Sequence, residues 1–153
     1  MTRPSLPQLN FPVYEWDLKQ QSNKWYIRDI FRRKYVILTP EEWVRQHAGR
    51  FLVDNGYPLT VISLEKQLQV NGLKRRFDLV VFDRHNQPFL LVECKRPQVE
   101  ITAEVMNQAA HYNYTLQAPY LWVTNGLKHY ILKFNTGQRP EIMEKLPLYG
   151  QYE

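Results

Sequence analysis

Three charged side chains stand where strands are expected to be apolar. Asp78 lies in the run RRFDLVVFD, residues 75–83, and Glu93 and Lys95 close the run PFLLVECK, residues 88–95. Charged groups are rarely buried without partners, because stripping their hydration costs several kcal/mol. Strand side chains alternate between faces, so Glu93 and Lys95 project together and Cys94 the opposite way. If the two runs are neighbouring strands, Asp78 comes beside Glu93. Two carboxylates about 4 Å apart repel by roughly 4 kcal/mol at an effective dielectric near 20. A divalent cation removes that conflict. A pair of hard oxygen ligands suits Mg2+, with Mn2+ as a substitute, an ion that keeps several waters and binds substrate phosphate. The plainer arrangement pairs Asp78 with Arg75 or Arg76, and Glu93 with Lys95, at the solvent end of a sheet. The residues alone leave both arrangements open.

The elements that must carry these residues follow from local signals. Residues 24–38 hold two β-prone runs around Arg32, Arg33 and Lys34, which suggests a hairpin. Residues 1–10, with Pro4 and Pro7 and little apolar pattern, read as loose. Thr39 as N-cap, Pro40 at the first helical position and Glu42 three residues after the cap mark a helix start. That helix is expected to run to about Asn55 and stop at Gly56, with Val44, Ala48, Phe51 and Leu52 on its buried side. Strands are expected over 60–70, 75–83 and 88–95, the first two joined by the two-residue hairpin signal Asn71-Gly72. Strand parity places Phe77, Leu79 and Val81 on one face and Val80 and Phe82 on the other. Such strands, apolar on both faces, belong in the centre of a covered sheet. Thr102 caps a second helix over 102–117, with Val105, Ala109, Tyr112 and Leu116 at helical spacing. PYLWVT, 119–124, reads as a buried strand, and Asn125-Gly126 turns the chain into a last strand, His129 to Phe134. The order α-β-β-β-α-β-β, after the N-terminal hairpin, describes an α/β protein with a mixed sheet and helices packed on it.

Composition narrows the class further. A chain of 153 residues fits one domain, and its 44% hydrophobic and 14% aromatic content suits a packed core. No apolar run approaches the roughly 20 residues of a membrane span. The first residues, MTRPSLPQLN, lack the apolar core of a signal peptide, so the expected compartment is the cytoplasm, with no membrane partner. The lone cysteine, Cys94, excludes an internal disulfide, and His47, His85, His111 and His129 are scattered at no zinc-binding spacing. A net charge of +5 and a pI near 9.3 favour a polyanionic partner, nucleic acid first. No phosphate-binding loop of the form G-x-x-x-x-G-K-[ST] is present.

Asp78, followed by Glu93-Cys94-Lys95, resembles the PD-(D/E)XK nuclease signature, with Phe77 where the signature's name has proline. More narrowly, TPEEWVRQ (39–46), RFDLVVFD (76–83), LLVECKRP (90–97) and TNG (124–126) resemble the N-terminal nuclease domain of type I restriction enzyme R subunits. Gln108 and Tyr112 match the Q-x-x-x-Y motif of that branch. The resemblance implies a restriction-endonuclease-like αβββαβ core over residues 29–149, after a partly flexible extension, 1–28, and before a tail, 150–153. It implies a Mg2+-dependent DNA endonuclease here without the helicase motor. Asp78 and Glu93 would hold the metal with the Cys94 main-chain carbonyl as third ligand, and Lys95 would orient water or stabilise charge on the phosphate. Expected partners are DNA and either a second copy of the chain or a separate motor or specificity subunit.

The family often has an acidic residue on the first helix. With Val44 as zero, Glu41 falls at about +60°, on the buried stripe, and Glu42 at about +160°, outside it. Glu42 also has a capping-box role open to it. Glu41 is therefore the expected site carboxylate. Gln108 reads either as a surface amide or as a hydrogen-bonding group at the site, and Tyr112 as core. Cys94 reads as a buried apolar residue rather than a nucleophile. Lys74, Arg75, Arg76 and Arg96 are candidates for phosphate contact beside the site, and Arg32, Arg33 and Lys34 for a second basic patch. Two other readings stay open: a nuclease-like fold that binds DNA or assembles without cutting, and a structural protein with a surface salt-bridge cluster.

Overall fold

A computed structural model describes residues 3–150. Of the expected tail, 150–153, all but Gly150 lies outside the described residues, as do Met1 and Thr2 of the extension. The chain begins with a three-stranded antiparallel meander: β1 (Leu18–Gln21), β2 (Lys24–Asp29) and β3 (Lys34–Ile37). The expected hairpin is β2–β3, and β1 adds a strand on its other edge. Helix α1 (Pro40–Asp54) follows, and a short 3-10 turn leads into β4 (Ile62–Val70), β5 (Leu73–Phe82) and β6 (Pro88–Cys94). Then come α2 (Ala103–Leu116), β7 (Tyr120–Thr124), β8 (His129–Lys133) and β9 (Glu141–Met143). The larger sheet has the order β4-β5-β6-β7-β8-β9, antiparallel except for the β6–β7 pair. A parallel pair needs a crossover, and α2 supplies it.

Local chemistry explains the element ends. Thr39 Oγ1 accepts the Glu42 N–H at 3.0 Å, and Thr102 Oγ1 accepts the Val105 N–H at 3.3 Å, so both helices start on the expected caps. Asn71 and Gly72 sit at φ 52° and 77°, the two positive angles that a tight hairpin turn of this hand requires. Among the described residues, no helix is long and apolar enough to cross a membrane.

The sheet separates two cores. Val44, Ala48 and Leu52 of α1 pack with Leu64, Leu79, Val81, Leu90, Val92, Cys94 and Trp122. Val105, Ala109 and Tyr112 of α2 pack with Phe77, Val80, Leu91, Leu121 and Val123. Strand parity fails at one place. Phe77 lies in the α2 core although Leu79 and Val81, two and four residues on, lie in the α1 core. The partner strand switches too, with Ile62 and Leu64 on the α1 side and Val70 on the α2 side. The ladder pairs Leu64 with Leu79 and Lys66 with Phe77, and between them Glu65 takes a left-handed φ of 51°. Both strands twist over at Glu65 and Asp78.

The N-terminal segment is not loose where described. Leu9 is 5% exposed in the α1 core, and Asn10 N–H donates to the Gly126 carbonyl at 2.7 Å. Phe11 stacks among His47, Phe51, Trp122 and His129. These contacts come from across the fold, which is why an aperiodic segment can still be core.

Candidate active site

The β5–β6 ladder ends at the pair Leu79–Val92. Asp78 and Glu93 stand one residue beyond it, where the strands need other bonds to hold together. The Cys94 N–H donates to Asp78 Oδ2 at 2.8 Å. On the other side of β6, Lys95 N–H donates to the Thr124 carbonyl at 2.8 Å. Asn125 secures the next loop, its Nδ2 donating to the Val99 carbonyl at 2.8 Å.

Glu93 and Lys95 open into one cleft of about 190 Å3, with Arg75 and Arg76 from β5 and Gln108 and Tyr112 from α2. Phe77, Val105, Ala109 and Val123 form its apolar wall. Cys94 points the other way, 1% exposed in the α1 core, as parity requires, and burial holds its thiol well above the usual range. The expected shared face of Glu93 and Lys95 is thus present, and Gln108 stands at its rim. Tyr112 packs on the core and also faces the cleft, where the Arg75 guanidinium lies 4.3 Å from its ring centre. Arg75 and Arg76 line the cleft. Lys74 and Arg96 are exposed and do not.

Asp78 does not line that cleft. Its carboxylate turns toward α1, where Arg45 donates to Oδ1 from Nε at 3.1 Å and from a terminal nitrogen at 2.8 Å. Arg45 therefore takes the place expected for Arg75 or Arg76. It was missed because its partner is 33 residues away and it falls beside the apolar stripe. It is 8% exposed and also bonds Glu42 at 2.7 Å. Glu42 in turn accepts from Arg32 at 2.8 Å and from Gln46 at 3.1 Å. Arg32 further pairs with Asp29 and with Glu65, so it belongs to a buried ion network and not to a free basic patch. Arg33 and Lys34 remain exposed.

This network corrects the helix-phase reasoning. Glu42 is the buried carboxylate, at 5% exposure, whereas the Glu41 side chain is 48% exposed. The reason is a second covering layer. The turn after β2 brings Phe31 and Arg32 against Gly49 and Glu42 of α1 and widens the buried arc beyond the apolar stripe. The Glu42 carboxylate consequently serves Arg32 and Arg45, and only its N–H takes part in the cap. Glu41 nevertheless lies on the Asp78 side. Burial and then the Asp78 charge raise its carboxyl above the usual range, while Arg45 and Lys95 oppose the rise.

Electrostatics single out Glu93. Burial, and then the charge of Asp78, push its carboxyl up to about 8, while Lys95 pulls the other way. Such a group resists ionisation unless positive charge arrives. A hard cation beside Glu93 and Asp78 fits that donor chemistry. Among the described residues, no three His, Cys, Asp or Glu side chains form a ready ligand group, and Asp78 shares its oxygens with Arg45 and the Cys94 N–H.

Residues 40–147 match the family described as type I restriction enzyme R protein N terminus. The chain belongs to that family. Solved structures with a similar arrangement include a fragment of a protein described as an HsdR subunit of a type I restriction enzyme from Vibrio vulnificus YJ016. That structure is 20% identical, with a TM-score of 0.53 over 72% of this chain and 24% of the other. The type IIG restriction endonuclease BpuSI is 20% identical, with a TM-score of 0.45 over 72% of this chain and 13% of that one. A protein described as a nuclease, from Anabaena variabilis ATCC 29413, is 10% identical, with a TM-score of 0.45 over 83% and 80% of the two chains. The chain thus spans about a quarter or less of the first two. No curated protein matches it. At these identities the Vibrio structure shows the fold alone, a mixed α+β arrangement. This R-protein N-terminal domain carries the Asp78, Glu93 and Lys95 set at the end of its β5–β6 ladder.

Proposed function

We propose that this domain is a metal-dependent DNA endonuclease. The observation that carries the reading is Glu93 beside Lys95 in a cleft edged by Arg75 and Arg76. Asp78 and Glu93 would hold Mg2+, or Mn2+ in its place, with the Cys94 carbonyl as a third ligand. When bound, the ion supplies Lewis-acid polarisation of a phosphate and a lowered pKa for water. The chain's own residues do the rest. Arg75 and Arg76 attract the phosphodiester backbone, with Lys74 and Arg96 contributing longer-range attraction. The Lys95 ammonium, lining the same cleft as Glu93, meets negative charge growing on phosphate oxygens or orients water. Gln108 offers an amide at the rim for a hydrogen bond to DNA or water, and Glu41 adds a carboxyl on the Asp78 side. The family context adds a proposed partner: other subunits of a type I restriction enzyme, or a second copy of this chain.

The test is cleavage of supercoiled, nicked, linear and single-stranded DNA with Mg2+, with Mn2+ and with chelator. Metal-dependent cleavage is expected, and each of D78N, E93Q and K95A is expected to lose at least about 100-fold, the scale for removing a group that acts on transition-state charge. Undiminished cutting by D78N, or none by the wild-type protein on any form, would overturn the reading. A second reading has its own support. Arg45 already neutralises Asp78, as in a domain that binds DNA or assembles without cutting. Salt-sensitive DNA binding without cleavage in either metal would favour it.

A further inference from the structure

Arg45 has more partners than a helix surface residue needs. Its guanidinium holds Asp78 Oδ1 through two nitrogens, at 3.1 and 2.8 Å, and Glu42 Oε1 at 2.7 Å. Glu41 lies at 3.4 Å and Glu65 at 3.5 Å. Four carboxylates from three elements thus surround one cation that is 8% exposed. Glu42 is itself fixed by Arg32 and Gln46. Glu65 faces Arg32 at 2.7 Å from a left-handed backbone position, φ 51°, which a glutamate adopts only when its surroundings compel it. The planar fork of an arginine suits such multiple acceptors, and its charge is permanent. Arg45 is therefore not free to swing away when another cation approaches Asp78.

Two consequences follow for the carboxylate. With Oδ1 bound twice by Arg45 and Oδ2 bound by the Cys94 N–H, three of its roughly four acceptor positions are taken. A cation arriving on the Glu93 side meets an Asp78 carboxylate that Arg45 holds turned toward α1, with one acceptor position left. It also meets a fixed positive charge behind that carboxylate, and like charges repel across a partly dry site.

We propose that Arg45 is a positioning residue acting through Asp78: a resident cation that fixes the Asp78 rotamer and holds down the affinity of the site for a divalent ion. The inference rests on the reading of Asp78 and Glu93 as a cation site. Its consequence is that metal occupancy in this domain is set by a side chain that never touches the metal or the DNA.

The experiment is Mn2+ titration of the full chain, followed by calorimetry and by the electron paramagnetic resonance of free Mn2+, with no DNA present. Arg45→Gln removes the charge and keeps an amide donor. The double variant R45M/E42Q removes the charge together with one of its balancing carboxylates, so folding of either protein suffices for the test. Both are expected to bind Mn2+ at least tenfold more tightly than wild type. R45K keeps the charge and is expected to bind within threefold of wild type, although it is no more stable than R45Q. A merely structural role predicts the reverse, with affinity falling as stability falls in all three. Unchanged or weakened affinity in the folded charge-removing variants overturns the Arg45 inference alone, provided that wild type binds Mn2+ and D78N loses it. No binding in wild type or in any variant overturns the inference and the cation-site reading together.

Discussion

Replacing Glu93 by glutamine tests the electrostatic account of the cleft without any substrate. The carboxyl is pushed from 4.5 to about 8, first by burial and then by Asp78. In the unfolded chain both influences vanish. Between those two values the folded protein keeps a proton that the unfolded chain has released. Stability therefore falls as pH rises through that window, since the native state binds more protons there. The penalty is absent below the unfolded pKa and complete above the folded one. One pKa unit of difference corresponds to about 1.4 kcal/mol. Discounted by about half for a group that still reaches solvent, the rise makes an ionised Glu93 cost on the order of 2 kcal/mol. Glutamine keeps the size and an acceptor oxygen but never ionises. E93Q is expected to melt with wild type near pH 5. Near pH 8.5, without divalent ions, it should melt about 4–8 °C higher, taking roughly 2–4 °C per kcal/mol for a domain of this size. Melts in chelator at pH 5, 7 and 8.5 measure the difference. A gain equal at all three pH values, or a loss that grows with pH, would refute the reasoning.

Two further outcomes follow from single contacts. Arg75→Ala is expected to lower the slope of log affinity against log salt for duplex DNA by about 0.9, one phosphate's share, and an unchanged slope would remove Arg75 from the contact set. Gly126 sits at φ 86°, and a Cβ there would lie 2.8 Å from Leu9 and 3.1 Å from Val44, so G126A is expected to lose about 2–4 kcal/mol by urea denaturation. The L9A/G126A double variant should lose less than the sum of the two single losses, and a G126A protein within 0.5 kcal/mol of wild type would contradict the packing of the N-terminal segment.

Signals confined to a few residues were readable from the sequence. Thr39-Pro40, Thr102 and Asn71-Gly72 act on their own backbones, and each marks the element end observed. Parity also held across Glu93, Cys94 and Lys95, because β6 stays regular to its end beside β7. Parity failed in β5, where Phe77 and Leu79 separate into different cores at the point where Glu65 on the neighbouring strand takes a left-handed φ. Helix phase failed at Glu42 because a periodic stripe assumes one covering layer, and α1 has a second, brought by the turn between β2 and β3. Arg45 was invisible for the same reason. An arginine beside an apolar stripe reads as solvated until its partners, 3 and 33 residues away, are seen together.

The same contacts decide how the site should be probed. Beyond Leu79–Val92 the ladder is continued by a side chain: the Asp78 carboxylate takes the Cys94 N–H. Asp78 therefore closes two strands as well as offering charge. Truncating Asp78 to alanine leaves the Cys94 N–H without its acceptor at the edge of the core, which costs about 1–3 kcal/mol before any chemistry is considered. Asparagine at 78 and glutamine at 93 keep an acceptor oxygen and remove the charge. A loss of metal binding or cleavage in those two variants, with each still folded at the assay temperature, separates the ionic role of each residue from its place in the strand ending. The order also matters. D78N leaves Arg45 facing only Glu41, Glu42 and Glu65, whereas E93Q leaves the Arg45 bonds intact. The Asp78 variant should thus lose stability and the Glu93 variant should gain it above neutral pH, although both remove one negative charge from the same ladder end.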